Sequence, residues 1–210
     1  GRITPKEAAD IKREAVRLKA QGGQALPAKT SDDETEGLRT LRRSRALAEP
    51  WVIAAAADMA TYLAKAGKDI ENAAKDSAEL QSLIQRYRGV YAHLAEQGRL
   101  KDAEAMGRVI NDAYAAYISL APSDFDMALA FGSHLVEMGD LARLTGDAEQ
   151  SDACYRQSLS QAARIERTAQ SGGVYETESD AYTGLADNAM ANGRLREARE
   201  LFLLAIERGR

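Results

Sequence analysis

The chain predicts an all-α fold of antiparallel helical hairpins stacked one on the next, and three observations carry that prediction. Composition favours helix: of 210 residues only 4 are proline and 6% are aromatic, while Ala, Leu, Arg and Glu abound, and these side chains lose little freedom on entering a helix. Apolar residues recur at helical spacing, and alternating strand patterns are nearly absent. Finally, a phrase repeats. GRLKDAEA at 98–105 returns as GRLREARE at 193–200, and Gly146 falls between them, so that Gly98, Gly146 and Gly193 are spaced by 48 and 47 residues. A fixed period of this size signals stacked repeats.

In chain order, Thr4-Pro5-Lys6-Glu7 combines a capping hydroxyl, a proline in the first turn and an acid, which predicts a helix from Pro5 to about Gln21. GGQALPAKTSDDETE at 22–36 has the Gly, Pro and charge content of a mobile loop. A helix from about Gly37 to Ala48 completes an N-terminal segment, 1–49, and a helix from Pro50 to Ala66 opens a repeat domain, 50–210. From Asp69 to Gln97 the residues Ile70, Ala73, Leu80, Ile84, Tyr87, Tyr91 and Leu94 keep heptad spacing, compatible with one long helix or with a break near Asp76 and Ser77. From Lys101 to Leu120 nothing breaks the helical pattern until Pro122, and Ser123 is placed to cap the next helix. The total expected is eight or nine helices.

Setting the three glycines in register exposes the repeat. Upstream lie Tyr87, Val90, Tyr91 and Leu94, then Leu135, Met138, Gly139 and Ala142, then Tyr182, Leu185, Ala186 and Ala189, each set one face of a helix. Downstream, at the fifth, ninth and twelfth positions, stand Ala103, Gly107 and Ile110, then Ser151, Tyr155 and Ser158, then Ala198, Phe202 and Ala205. Small residues suit close helix crossing, and Tyr155 and Phe202 are expected to fill the space between helix pairs. The glycine suits a left-handed helix stop, so the repeated phrase reads as stop, turn and restart.

YTGLADNAMANGRLREARELFLLA (182–205), LVEMGDLARLTGDAEQSDACYRQS (135–158) and YRGVYAHLAEQGRLKDAEAMGRVI (87–110) resemble the tetratricopeptide repeat family. The third is the weakest, because Gly107 stands where that pattern has an aromatic. The period exceeds the family's usual length of about 34 residues, a resemblance to its long-period bacterial type. What the resemblance implies is a right-handed α-solenoid with units near 84–120, 124–170 and 175–208. In such a solenoid the first helix of each pair lines a concave groove. That places Gln85, Arg88, Ala92 and Ala95; Ser133, Val136, Asp140 and Arg143; and Asp180, Thr183, Asp187 and Met190 on the groove. The set is polar with both charge signs. It lacks the Lys and Asn set with which some family members clamp a terminal carboxylate, so that activity is not carried over.

Function classes narrow accordingly. The formal charge is −4, and the first 50 residues hold 11 Lys and Arg against 8 Asp and Glu, a basic bias too mild for nucleic acid as the main partner. Within it, RTLRRSR at 39–45 places Arg39, Arg42 and Arg43 near one helix face without interleaved aromatics, and a solvated face is the favoured reading. No run of about 18 apolar residues offers a membrane span, and a lone Cys154 without a disulfide framework makes a cytoplasmic location the default expectation. His93 and His134 have no metal-ligand pattern around them and are expected on the surface or in the groove; Cys154, one residue before Tyr155, is expected to be structural. Phosphate loops, dinucleotide turns and nucleophile elbows are missing, so neither catalysis nor a cofactor is expected.

The leading expectation is a protein–protein interaction module that holds a partner protein or peptide and scaffolds an assembly. A regulatory sensor domain within a larger signalling protein is the alternative from another class. The chain begins at Gly1 and ends at Arg210 just after LFLLAI (201–206), which reads as a piece of a longer protein. That last apolar face would need a following helix or a second copy to cover it, which raises homo-oligomerisation as a further reading.

Overall fold

The computed structural model describes residues 58–166 and 172–209. Among these residues are seven helices and no strand: α1 Met59–Ala73, α2 Ser77–Glu96, α3 Leu100–Leu120, α4 Phe125–Thr145, α5 Ala148–Glu166, α6 Gly172–Ala191 and α7 Leu195–Arg208. The helices expected at 5–21 and 37–48, the loop at 22–36, the basic run at 39–45 and the first half of the helix expected at 50–66 lie outside the described residues. The described chain forms two compact units, 58–127 and 128–209.

The repeated phrase is the same turn each time. Gly98, Gly146 and Gly193 have φ of +71°, +84° and +73°, a conformation that a Cβ opposes and glycine accepts. Around each, two backbone bonds close the preceding helix. Gly98 N–H donates to Ala95 O (3.0 Å) and Arg99 N–H to Leu94 O (2.9 Å); Gly146 to Arg143 O (3.2 Å) and Asp147 to Ala142 O (2.9 Å); Gly193 to Met190 O (3.0 Å) and Arg194 to Ala189 O (2.8 Å). This crossed pair satisfies carbonyls that a helix end would otherwise leave open. After the turn, Arg99 and Arg194 pair with the acid three residues on, Arg99 Nε to Asp102 Oδ2 at 2.8 Å and Arg194 Nη1 to Glu197 Oε2 at 2.9 Å. After Gly146 the restart is made by Asp147, whose carboxylate accepts from Gln150 N–H at 3.0 Å.

Three expected boundaries move. The helix expected to end at Ala66 runs on to Ala73, because Gly67 is a single tolerated glycine and Ile70 and Ala73 continue the buried face. The long-helix option between Asp69 and Gln97 gives way to the break, since the Asp76 carboxylate accepts from the N–H groups of Ala78 and Glu79 and starts α2 afresh. Ahead of α4 the cap is Asp124, whose Oδ1 accepts from Met127 N–H (3.1 Å), and not Ser123. An ionised acceptor is stronger there than a hydroxyl.

Within the 58–127 unit, α1 packs on α2 and α3, and α2 on α3. The core is apolar and bulky: Ile70 from α1, Leu80, Leu83, Ile84, Val90 and Leu94 from α2, Met106, Ile110 and Ile118 from α3, with Tyr62, Tyr87, Tyr91, Tyr114 and Tyr117 among them. Tyr62 and Tyr87 meet edge to face at 6.3 Å, and Tyr87 Oη donates to Asp69 Oδ2 (3.1 Å). Aromatic pairs prefer this geometry because the ring edge is positive and the face negative.

In the 128–209 unit the helix directions can be read from the bonds. Ser158 Oγ donates to Gly132 O and Ser151 Oγ to Gly139 O, both at 2.8 Å; the residue number falls along α5 as it rises along α4, so these helices are antiparallel. Across α4 and α6, Ser133 Oγ lies 3.3 Å from Thr177 Oγ1, and Leu129 lies against Gly173 at the same offset, so these two run parallel. α7 returns antiparallel to α6, with Ser179 Oγ donating to Ala205 O (3.0 Å) and Phe202 packed on Ala186, Ala189 and Ala198. The chain therefore lays a second helix pair beside the first in the same orientation.

Candidate partner-binding site

The expected groove residues lie on α2, α4 and α6, the first helices of the three pairs. On α2, Gln85 is exposed, while Arg88 is half-buried and its Nη1 donates to Tyr114 Oη at 3.5 Å. Ala92 is exposed and Ala95 half-buried.

In the other unit the candidates on α4 and α6 do more structural work than the sequence suggested. Asp140 Oδ1 accepts both from Tyr155 Oη (2.8 Å) and from Arg143 Nη2 (3.0 Å). This joins two expected groove residues to the aromatic that fills the core. Burial together with the Asp140 carboxylate pushes the Tyr155 hydroxyl up to about 12, since ionising it would put a second negative charge beside the first in a poorly solvated place. Ser133 holds Thr177, Thr183 Oγ1 donates to Ser179 O one turn back (2.8 Å), Val136 packs on the Tyr155, Ala181 and Leu185 cluster, and Met190 on the Phe202 cluster. Asp180 and Asp187 are half-exposed.

The mixed charge expected of this surface is acid-biased in the 128–209 unit. Helix α6 carries Glu176, Glu178, Asp180 and Asp187 and no Lys or Arg; the part of α4 in this unit carries Glu137 and Asp140 against Arg143, which Asp140 already neutralises. Glu178 is buried and paired with Arg208 of α7, its Oε2 3.4 Å from Arg208 Nε.

Two positioning features were not read from the sequence. Gly184 and Gly139 form a cradle for the Tyr155 ring: a Cβ on Gly184 would come within 2.2 Å of Tyr155 Cζ, and one on Gly139 within 2.6 Å of Cε1. Gly139 was visible from the repeat register, but Gly184 was not, although a glycine inside an unbroken helix is a signal of close approach. The other is a polar clamp between the two pairs. Asn188 Nδ2 donates to Ser151 Oγ (2.9 Å) and Asp152 Oδ1 (2.7 Å), and Arg194 Nη2 sits 3.8 Å from Asp152 Oδ2. It joins α5, α6 and the turn before α7, and no local pattern announces it because its members are 36 and 37 residues apart.

His134 corrects the expectation of a surface or groove histidine. It is fully buried on the stripe that holds Phe131, Leu135 and Met138, with Nδ1 3.5 Å from Glu137 Oε2, because helical spacing turns it inward with those neighbours. His93 is half-buried near the end of α2. Cys154 is buried, and Gln150 Nε2 lies 3.4 Å from its Sγ. Among the described residues no group of three or more His, Cys, Asp or Glu is arranged to hold a metal ion, and no helix is long and apolar enough to cross a membrane. Comparison with protein-family models, with curated proteins and with solved structures finds no match for this chain.

Proposed function

We propose that the chain is a protein–protein interaction module of tetratricopeptide-like character, which holds a segment of a partner protein against the first helices of its hairpin repeats. The observation that carries this reading is the parallel placement of α4 and α6, fixed by Leu129 against Gly173 and Ser133 against Thr177. Two such helices side by side present successive rows of half-exposed polar side chains on a rigid support. In a right-handed solenoid those rows would form one concave wall. A preorganised wall lowers the ordering cost that binding must overcome.

The acid bias of α4 and α6 favours a partner segment with lysine or arginine, drawn in by charge and held by Asp180 and Asp187. Residues that serve the fold, Asp140, Arg143, Ser133, Thr183 and Met190, shape the wall more than they grip the partner.

The test is a selection of peptides from a random library on the purified 210-residue chain, followed by affinity measurements. Enrichment of Lys- and Arg-containing peptides, with binding at least about tenfold weaker for Asp187→Ala or Asp180→Asn at an unchanged melting temperature, is the expected result; tenfold corresponds to about 1.4 kcal/mol, the size of one good charged contact. Peptides that bind equally well to both variants, or variants that melt early in proportion to their loss of binding, would refute the assignment.

A further inference from the structure

The last helix carries an apolar pair that the repeat itself does not cover. Leu203 is 43% and Leu204 38% exposed on α7. They stand ten and eleven residues after Gly193, and the same positions after Gly146 are Arg156 and Gln157 on α5. Both of these are exposed even though α6 and α7 follow them in the same unit. The position therefore faces away from the next helix pair, and a following repeat of this kind would leave Leu203 and Leu204 bare. Leu201, which the sequence reading grouped with them as a terminal face, points inward and packs against the clusters of both Phe202 and Tyr155.

The charges on this outward face are ordered along the helix. Arg196 and Arg199 lie towards its amino end and Glu207 towards its carboxyl end, with Glu200 between, and all four are exposed. Arg196 Nε lies 3.4 Å from Glu200 Oε1, with the two side chains 91% and 62% exposed, so the arginine is held loosely. A face that is positive at one end, apolar in the middle and negative at the other is complementary to itself in the antiparallel sense.

We propose that α7 pairs with α7 of a second copy across a twofold axis, Leu203 and Leu204 meeting near the centre and Arg196 of each chain opposing Glu207 of the other. A twofold contact brings the same patch together from both chains, so every favourable pair is made twice. Antiparallel helices also set each positive amino end beside a negative carboxyl end. One helix pair of 14 residues buries far less than the roughly 1,200 Å² of a stable complex, so the dimer is weak and forms at high local concentration. The proposal shares no residue with the partner-binding surface and stands independently of it.

Sedimentation velocity on the full 210-residue chain across a hundredfold concentration range tests it, with circular dichroism melting as the control for folding. The expected result is a monomer–dimer equilibrium that Leu204→Glu abolishes, that Arg196→Glu weakens by tenfold or more, and that the double variant Arg196→Glu with Glu207→Arg restores. The double variant supplies a falsifier that simple loss of an exposed leucine lacks, since it rebuilds the pair only in the antiparallel register. A chain that stays monomeric throughout, a dimer indifferent to Leu204→Glu, or charge reversal without rescue would each overturn the proposal.

Discussion

In the 58–127 unit the ninth position after the turn glycine is Gly107 and the seventh position before it is Tyr91, whereas around Gly146 the same two positions hold Tyr155 and Gly139. Around Gly193 they hold Phe202 and Ala186, which pack together in one buried cluster. All six are buried. The large and small members have changed places between helices while the turn geometry stays constant, with φ of +71°, +84° and +73° at the three glycines. In the 128–209 unit each hairpin sets a bulky ring against a small residue of the facing helix, Tyr155 at Gly139 and Phe202 at Ala186, and the exchanged sizes at Tyr91 and Gly107 suggest that the requirement falls on the pair, not on either position. The 128–209 unit extends the device, because Tyr155 uses a second bare stretch at Gly184 and so joins two helix pairs through one ring. It also adds polar links, the Ser151 and Ser158 hydroxyls on backbone carbonyls and the Asn188 clamp, where the bulky hydrocarbon and tyrosine core of the 58–127 unit relies mainly on burial.

The largest effect should come from emptying the shared ring site. Tyr155→Ala is expected to cost about 3 to 5 kcal/mol, the range for truncating a buried aromatic, measured as a fall in the chemical-denaturation midpoint. If the pair is the unit of selection, filling the cradle must also hurt. Gly184→Ala should cost about 1 to 3 kcal/mol by overpacking, and that cost should shrink sharply in a Tyr155→Ala background, a non-additivity read from the double-mutant cycle. Additive losses would mean that the ring and the glycine act separately, and the comparison with Tyr91 and Gly107 would fail.

A smaller and more uniform effect is expected at the turns. No atom lies within 4 Å of a Cβ built on Gly98, Gly146 or Gly193, so alanine there meets only the backbone penalty of the left-handed conformation, about 1 to 2 kcal/mol. Thermal melting of the three single variants should give closely similar losses in both units. A turn that tolerates alanine would break the equivalence of the repeats.

The subtlest test is alkaline. Burial pushes the hydroxyl of Tyr62 in one unit and, with Asp140, that of Tyr155 in the other up to about 12. Below about pH 9 both are neutral whether folded or unfolded, and they add no pH dependence. Between pH 10 and about 12 the unfolded chain ionises first and holds fewer protons, so stability falls as pH rises. Denaturation midpoints should be level up to about pH 9 and then decline, less steeply in Tyr155→Phe and in Tyr62→Phe; an unchanged slope in either variant would exclude that tyrosine as a source.

Much of the fold was legible because its signals are local. Glycine at the turns, helix-period apolar stripes and Asp before a helix start each act within a few residues, and the turns at 98, 146 and 193 lie where the repeated phrase placed them. Boundaries set by competition were less legible: Asp124 outdoes Ser123 as a cap, and α1 runs past Ala66 because nothing opposes it. The expected groove residues could be listed by register, but their division of labour could not. Asp140 looked like a free groove carboxylate until the Tyr155 hydroxyl was found on it, and Met190 like a groove contact until it was found on the Phe202 cluster.

By itself the sequence determined the helical class, the hairpin turns and the facing stripes, since each follows from the conformational preferences of neighbouring residues. Only the tertiary structure decided that Gly184 cradles Tyr155, that Asn188 clamps Ser151 and Asp152, that His134 turns inward, and that Leu203 and Leu204 face out while Leu201 faces in. Those outcomes depend on which residues tens of positions apart share one small volume, and close packing fixes that only when all the helices are in place.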